Sequence, residues 1–229
     1  MIKVEIQGLD KTLAQIGGMS KQVRFAAAVA LTRTARDVKD AMPAVMDRDL
    51  DRPVPFTQRG LFVTPARRDN LTAVVGFMDR QAAYLKYQIA GGTRTPTARG
   101  IKLPGNITLN SFGNIPKGLI DKLKQSAQDG SLGRGIAGRL GLKNRRKGAA
   151  PIALFYGKPT GRGWKKAPMG IWRRVPGSPG KLIPVIVFED TPAKYKPRFH
   201  FQRAAEAVVR RVWDRNFAAA FADAMRTAR

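Results

Sequence analysis

The sequence has no cysteine, a single histidine and only 16 acidic residues in 229. The first absence excludes a disulfide scaffold, thiolate metal ligands and a thiol nucleophile; it permits a reducing compartment without requiring one. With one imidazole, His200, a histidine metal cage or a Ser-His-Asp triad has little to be built from. Its place between Phe199 and Phe201, just ahead of a helical pattern, reads as a helix N-terminal position. Long apolar runs are missing too: the longest, Phe25 to Leu31, is far short of the roughly 18 residues that span a bilayer. The opening Met1–Gln7 lacks the basic start and apolar core of a signal peptide. The expectation is a soluble, unprocessed chain with no membrane partner.

What is abundant is positive charge. Lys and Arg number 42, giving a net charge of +26, a self-repulsion that counter-ions, nucleic acid or an acidic protein surface would offset. The apolar fraction, 43%, suffices for a core, whereas 23 Gly and 15 Pro point to loops and extended segments.

Ile2, Val4 and Ile6 alternate with polar residues as in a half-buried strand. From Ser20, a candidate N-cap, Val23, Ala27, Ala30, Thr34, Val38, Ala41 and Val45 step by three and four, predicting a helix over about 21–46 that Pro43 kinks or ends. The prolines of Arg52–Phe56 predict extended backbone, and 61–66 with 71–78 predict a β-hairpin. A short helix over 80–90 closes at Gly91-Gly92. Residues 91–118 show no sustained period, 117–128 hold a brief helical patch, and the Gly-rich, basic 129–150 is expected to gain order from a partner. Strands follow at 152–157, 170–175 and 182–189. A long helix over 202–228 closes the chain, with Ala205, Val208, Val212, Phe217, Ala220, Phe221, Ala224 and Met225 on one face. The expected class is α+β, a mostly antiparallel sheet packed by two long helices, with extended basic loop arms. The expected organisation is 1–90 and 151–229 as two parts of one core, with 91–150 as a basic insertion arm.

No catalytic, cofactor or metal site emerges. Asp47, Asp49 and Asp51 alternate like the start of a calcium loop, but Arg52 and Gln58 stand where that loop needs Gly and Glu, so pairing with Arg48 and Arg52 is expected. Gly133–Gly138 matches G-x-G-x-x-G literally without the strand and helix a dinucleotide site needs, and reads as a flexible basic linker. Glu189-Asp190 is the sole adjacent carboxylate pair in a strand context, and nothing selects it for hydrolysis. The reading is a non-enzyme without cofactors. The informative residues are basic: Arg134, Arg139, Lys143, Arg145, Arg146 and Lys147, continued by Lys165 and Lys166, with Trp164 and Trp172 interleaved. They are the candidate electrostatic contacts to DNA or to an acidic protein.

Several segments in order resemble a known group: Asp51–Thr57, Leu61–Ala66, Val74–Phe77, Tyr84-Leu85 ending in Gly91-Gly92, Gly170–Arg174, Pro184–Phe188, Tyr195–Phe201 and the alanine-rich closing helix. This layout is similar to the minor tail protein Z, or tail completion (neck), proteins of long-tailed bacteriophages and prophages. The segment 95–150 is longer and more basic than that group leads one to expect. The resemblance implies a structural virion protein at the head-proximal end of the tail, made in the host cytoplasm. It implies a homo-oligomeric ring, six copies being one candidate count, contacting tail terminator, tail tube or neck proteins and, non-specifically, phage DNA. The alternative is a non-specific nucleic-acid-binding protein acting outside a virion.

Overall fold

The computed structural model describes residues 3–6, 21–97, 100–130, 132–142, 153–161, 163–178 and 180–227. In chain order its elements are β1 (Lys3–Ile6), α1 (Lys21–Asp49), α2 (Pro55–Gln58), β2 (Leu61–Thr64), β3 (Ala73–Phe77), α3 (Asp79–Ile89), β4 (Gly92–Arg94) and β5 (Ile101–Pro104), then α4 (Leu119–Asp129), α5 (Arg134–Arg139), β6 (Leu154–Gly157), β7 (Met169–Arg174), β8 (Leu182–Glu189), β9 (Ala193–Tyr195) and α6 (Phe201–Arg226). The protein is α+β, and all the strand pairs whose register is described are antiparallel. The chain forms two compact units, Met1–Gly92 with Tyr195–Arg229, and Thr93–Lys194. Strands β4 and β9 pair with each other where the chain leaves the first unit and re-enters it.

The first unit is a three-stranded sheet, β1-β3-β2, under the helix pair α1 and α6. Alternation places Ala73, Val75 and Phe77 of β3 on one face, all buried. Leu31, Ala35, Val38, Met42 and Met46 of α1 and Phe201, Ala205, Val208 and Val212 of α6 join that core. The helix does not stop at Pro43 but runs on to Asp49. Losing one backbone bond costs about 3 kcal/mol; the full burial of Met42 and Met46 on either side of the proline, at about 1.5–3 kcal/mol each, offsets it. At the far end of the pair methyl groups meet, Ala26 and Ala30 against Ala220 and Ala224, with Val29, Trp213 and Phe217 packed around them. The 61–66 and 71–78 hairpin is present, closed by mutual backbone bonds between Arg67 and Asn70 at 2.8 and 3.2 Å. In the 52–56 stretch Val54 is extended, but Arg52 is left-handed at φ 47°, and Pro55 opens the short helix α2, its fixed φ suiting a first helical position.

The second unit is a four-stranded sheet, β5-β8-β7-β6. Leu119 and Leu123 of α4 pack on Leu154, Ile171, Ile186 and Phe188, and Leu140 completes this core. Three expectations change here. The strands over 152–189 share a core with α4 and α5, not with the two long helices. Described parts of 91–150, expected as an arm, supply buried residues of that core, because Leu119, Leu123 and Leu140 have a sheet face to cover. Gly133–Gly138 lies within and beside α5, with Ile136 packed on the core, where a flexible linker was expected. On α6, Phe221 and Met225 were expected on the apolar face; they are 39% and 52% exposed.

Candidate polyanion interface

Positive charge is unevenly divided. The second unit carries 20 Lys and Arg against 4 Asp and Glu, a net +16; the first carries 22 against 12, a net +10. In the second unit, α4 covers one sheet face, so strand alternation leaves the opposite face to Phe155, Trp172, Val187 and Leu103. Phe155 and Trp172 are direct cross-strand partners. The Trp172 indole is buried, donates from Nε1 to the Gly157 carbonyl at 3.2 Å, and meets the Trp164 ring edge-on at 5.5 Å. Gly170 makes room: a Cβ there would lie 2.7 Å from the Ile186 carbonyl oxygen and 2.9 Å from Trp172 Nε1.

Trp164 also begins a tight turn, its carbonyl accepting the Ala167 N–H at 2.9 Å. Lys165 and Lys166 are the two central residues of that turn, and both are exposed. The indole pair thus anchors the turn on the sheet, and the turn presents two ammonium groups to solvent. Arg174 lies over the Phe155 ring at 5.7 Å, and Leu103, 43% exposed, stands on the same face. The arrangement offers point charges for phosphates or carboxylates above a partly apolar floor.

Of the residues singled out in the sequence, this geometry brings together Lys165, Lys166, Trp164 and Trp172. Trp172 supports the turn and is not open for base stacking, since both its ring and its N–H are used internally. Arg139 is half-buried and ties α5 to the loop between β5 and α4: its Nη1 donates to the Thr108 carbonyl at 3.3 Å while its own carbonyl accepts the Thr108 N–H at 2.8 Å. Arg134 opens α5; its side chain, and Lys143, Arg145, Arg146 and Lys147 entirely, lie outside the described residues.

On the other sheet face, Lys102, Asp121, Lys124 and Asp190 line a pocket of about 580 Å³. Lys124 sits over the Tyr156 ring at 4.7 Å and the Phe188 ring at 5.5 Å. Two cations face two carboxylates, so this pocket selects no polyanion.

The acidic run behaves as expected: Arg48 donates to Asp49 at 2.7 Å and Arg52 to Asp51 at 3.1 Å. His200 is the residue before α6, and its backbone N–H reaches Asp49 Oδ2 at 3.4 Å. The Arg48 hydrogen bond holds the Asp49 carboxyl below the usual carboxylate range, with burial opposing and the His200 N–H reinforcing it. Among the described residues no cluster of three His, Cys, Asp or Glu could hold a metal ion.

Sequence reasoning missed the arginines of the first unit. Arg36, Arg67 and Arg68 border a groove of about 540 Å³ floored by Ala28, Val29 and Ala66, and Arg203 and Arg211 border another on α6. The second pair was findable, since residues eight apart share a helix face; the first needs the hairpin turn brought beside α1. Comparison with family models, curated proteins and solved structures finds no match to this chain.

Proposed function

We propose that the chain is a structural virion protein of a tailed phage, of the tail-completion or neck type, assembled as a ring at the head-proximal end of the tail. The observation that carries this reading is where the resembling segments meet. Thr57 Oγ1 and the Tyr84 hydroxyl are hydrogen-bonded at 2.9 Å. Phe77 packs on Phe199 and Phe201 with ring centroids 6.1 and 5.0 Å apart. Gly91 lies so close to Tyr195 and Pro197 that a Cβ would fall 2.9 Å from each. The segments from Asp51 to Gly92 and from Tyr195 to Phe201 thus close on one another in the first unit, whereas Gly170–Arg174 and Pro184–Phe188 pair as neighbouring strands in the second. The stretch that departs from the group, 95–150, falls in the second, more basic unit. A basic surface has a use where DNA passes through a ring.

The test is light scattering with negative-stain imaging of nuclease-treated protein, alone and mixed with purified tail tubes. Rings, or density capping one tube end, are expected. A monomer that ignores tubes and binds nucleic acid would overturn the reading. It would favour the second one, a nucleic-acid binder outside a virion, which the Lys165-Lys166 turn over the aromatic sheet face supports.

A further inference from the structure

The groove between α1 and α6, about 550 Å³, has an aliphatic floor of Ala41, Val45, Ala204 and Ala207. Its rim is cationic. Arg48 is already matched by Asp49, but Arg203 and Arg211 are exposed, and among the described residues no carboxylate lies within 4 Å of either. They stand eight residues apart on α6, so about 12 Å along its axis. Arg203 also occupies the first turn of α6, where the helix dipole disfavours a cation and no residue of that turn is acidic; the nearby Asp49 carboxylate is engaged by Arg48 and the His200 N–H. The groove is thus short of negative charge at two points two helical turns apart.

We propose that this groove receives an acidic amphipathic helix from a partner protein. The partner's carboxylates, spaced seven or eight residues apart, pair with Arg203 and Arg211. Between them a stripe of small or branched aliphatic side chains covers the alanine floor. The small floor residues let a helix backbone approach closely. A nucleic acid fits less well, since no aromatic ring other than the His200 imidazole at one end lines the groove to stack on a base. A second copy of the chain would bring another +26 to the contact. The inference does not rest on assembly into a virion, so tail-tube binding and groove occupancy fail or succeed separately.

The probe is a labelled synthetic 21-residue helix with an Ala/Leu stripe flanked by Glu at seven-residue spacing, titrated with the full-length protein by fluorescence anisotropy. Controls are a scrambled peptide of the same composition and an oligonucleotide of equal charge. R203E/R211E should weaken peptide binding at least tenfold. A peptide carrying Lys in place of those Glu should bind R203E/R211E and not the wild type, a rescue that also shows the variant is folded. Three results would overturn the proposal: equal binding of the scrambled peptide, unchanged affinity in R203E/R211E with no rescue, or displacement of the peptide by the oligonucleotide from wild type and variant alike. A dimer that forms without peptide and dissociates in R203E/R211E would overturn it too, reassigning the groove to a second copy.

Discussion

Asn216 of α6 donates from its side-chain amide to Thr34 Oγ1 at 3.1 Å and to Asp37 Oδ2 at 2.7 Å, both on α1. Asn216 and Thr34 are buried in a helix interface that is apolar inside, with the Arg33–Asp223 and Arg215–Asp37 pairs at its more exposed margins. A bond between buried polar groups fixes the register of two helices whose alanine surfaces alone would pack in several.

Replacing Asn216 by Ala should therefore lower unfolding free energy by about 1–3 kcal/mol, because Thr34 and Asp37 lose a donor. Asn216→Asp should cost more at neutral pH, since it sets a second carboxylate beside Asp37. Urea unfolding of wild type and both variants at pH 7 checks this; a loss in Asn216→Asp no larger than in Asn216→Ala would count against the account.

Asp49 links the end of α1 to the start of α6 through His200, and its carboxyl titrates below its ordinary value of about 3.9. A carboxyl whose folded value is depressed stabilises the protein above the unfolded value, and that contribution fades as pH falls through the folded one. Wild type should thus exceed Asp49→Asn in stability above about pH 4, with the gap closing at lower pH. Thermal unfolding of both proteins between about pH 2.5 and 7 spans that window and reads the effect directly.

Gly170→Ala should destabilise the second unit by about 1–3 kcal/mol, because the methyl group meets the Ile186 carbonyl and the Trp172 indole nitrogen. Tryptophan emission should shift to the red as the Trp164–Trp172 pair loosens. A variant with wild-type emission and stability would show that the backbone relaxes freely there.

Lys165→Ser with Lys166→Ser should leave stability unchanged and reduce binding to duplex DNA. The slope of log affinity against log salt should fall by roughly two, about one for each phosphate that no longer has a lysine beside it. Trp164→Ala should weaken binding without removing either charge, since it releases the turn from its anchor. Filter binding over a range of salt concentrations separates the two: only the lysine variant changes the slope.

Local patterns were legible where the physics is local. Three- and four-residue spacing marked both long helices, period-two alternation marked β1, apolar β-branched runs marked β3 and β8, and Gly91-Gly92 marked the end of α3. Arg48 and Arg52 were correctly matched to neighbouring carboxylates because such pairs need no tertiary partner. By itself the sequence determined the α+β class, the charge, the absence of thiol chemistry and the placement of Lys165-Lys166 beside a tryptophan.

Only the tertiary structure decided which elements share a core. Nothing in the apolar run Leu182–Glu189 says whether its neighbour is α1 or α4, because burial rewards any complementary apolar face regardless of distance along the chain. The same indifference hid the buried role of Leu119, Leu123 and Leu140 in a stretch rich in glycine and charge. It also let α1 pass through Pro43, where packing of Met42 and Met46 outweighs the local penalty. The Arg203–Arg211 groove exists because α6 lies against α1, and periodicity alone could show only that the two arginines share a face.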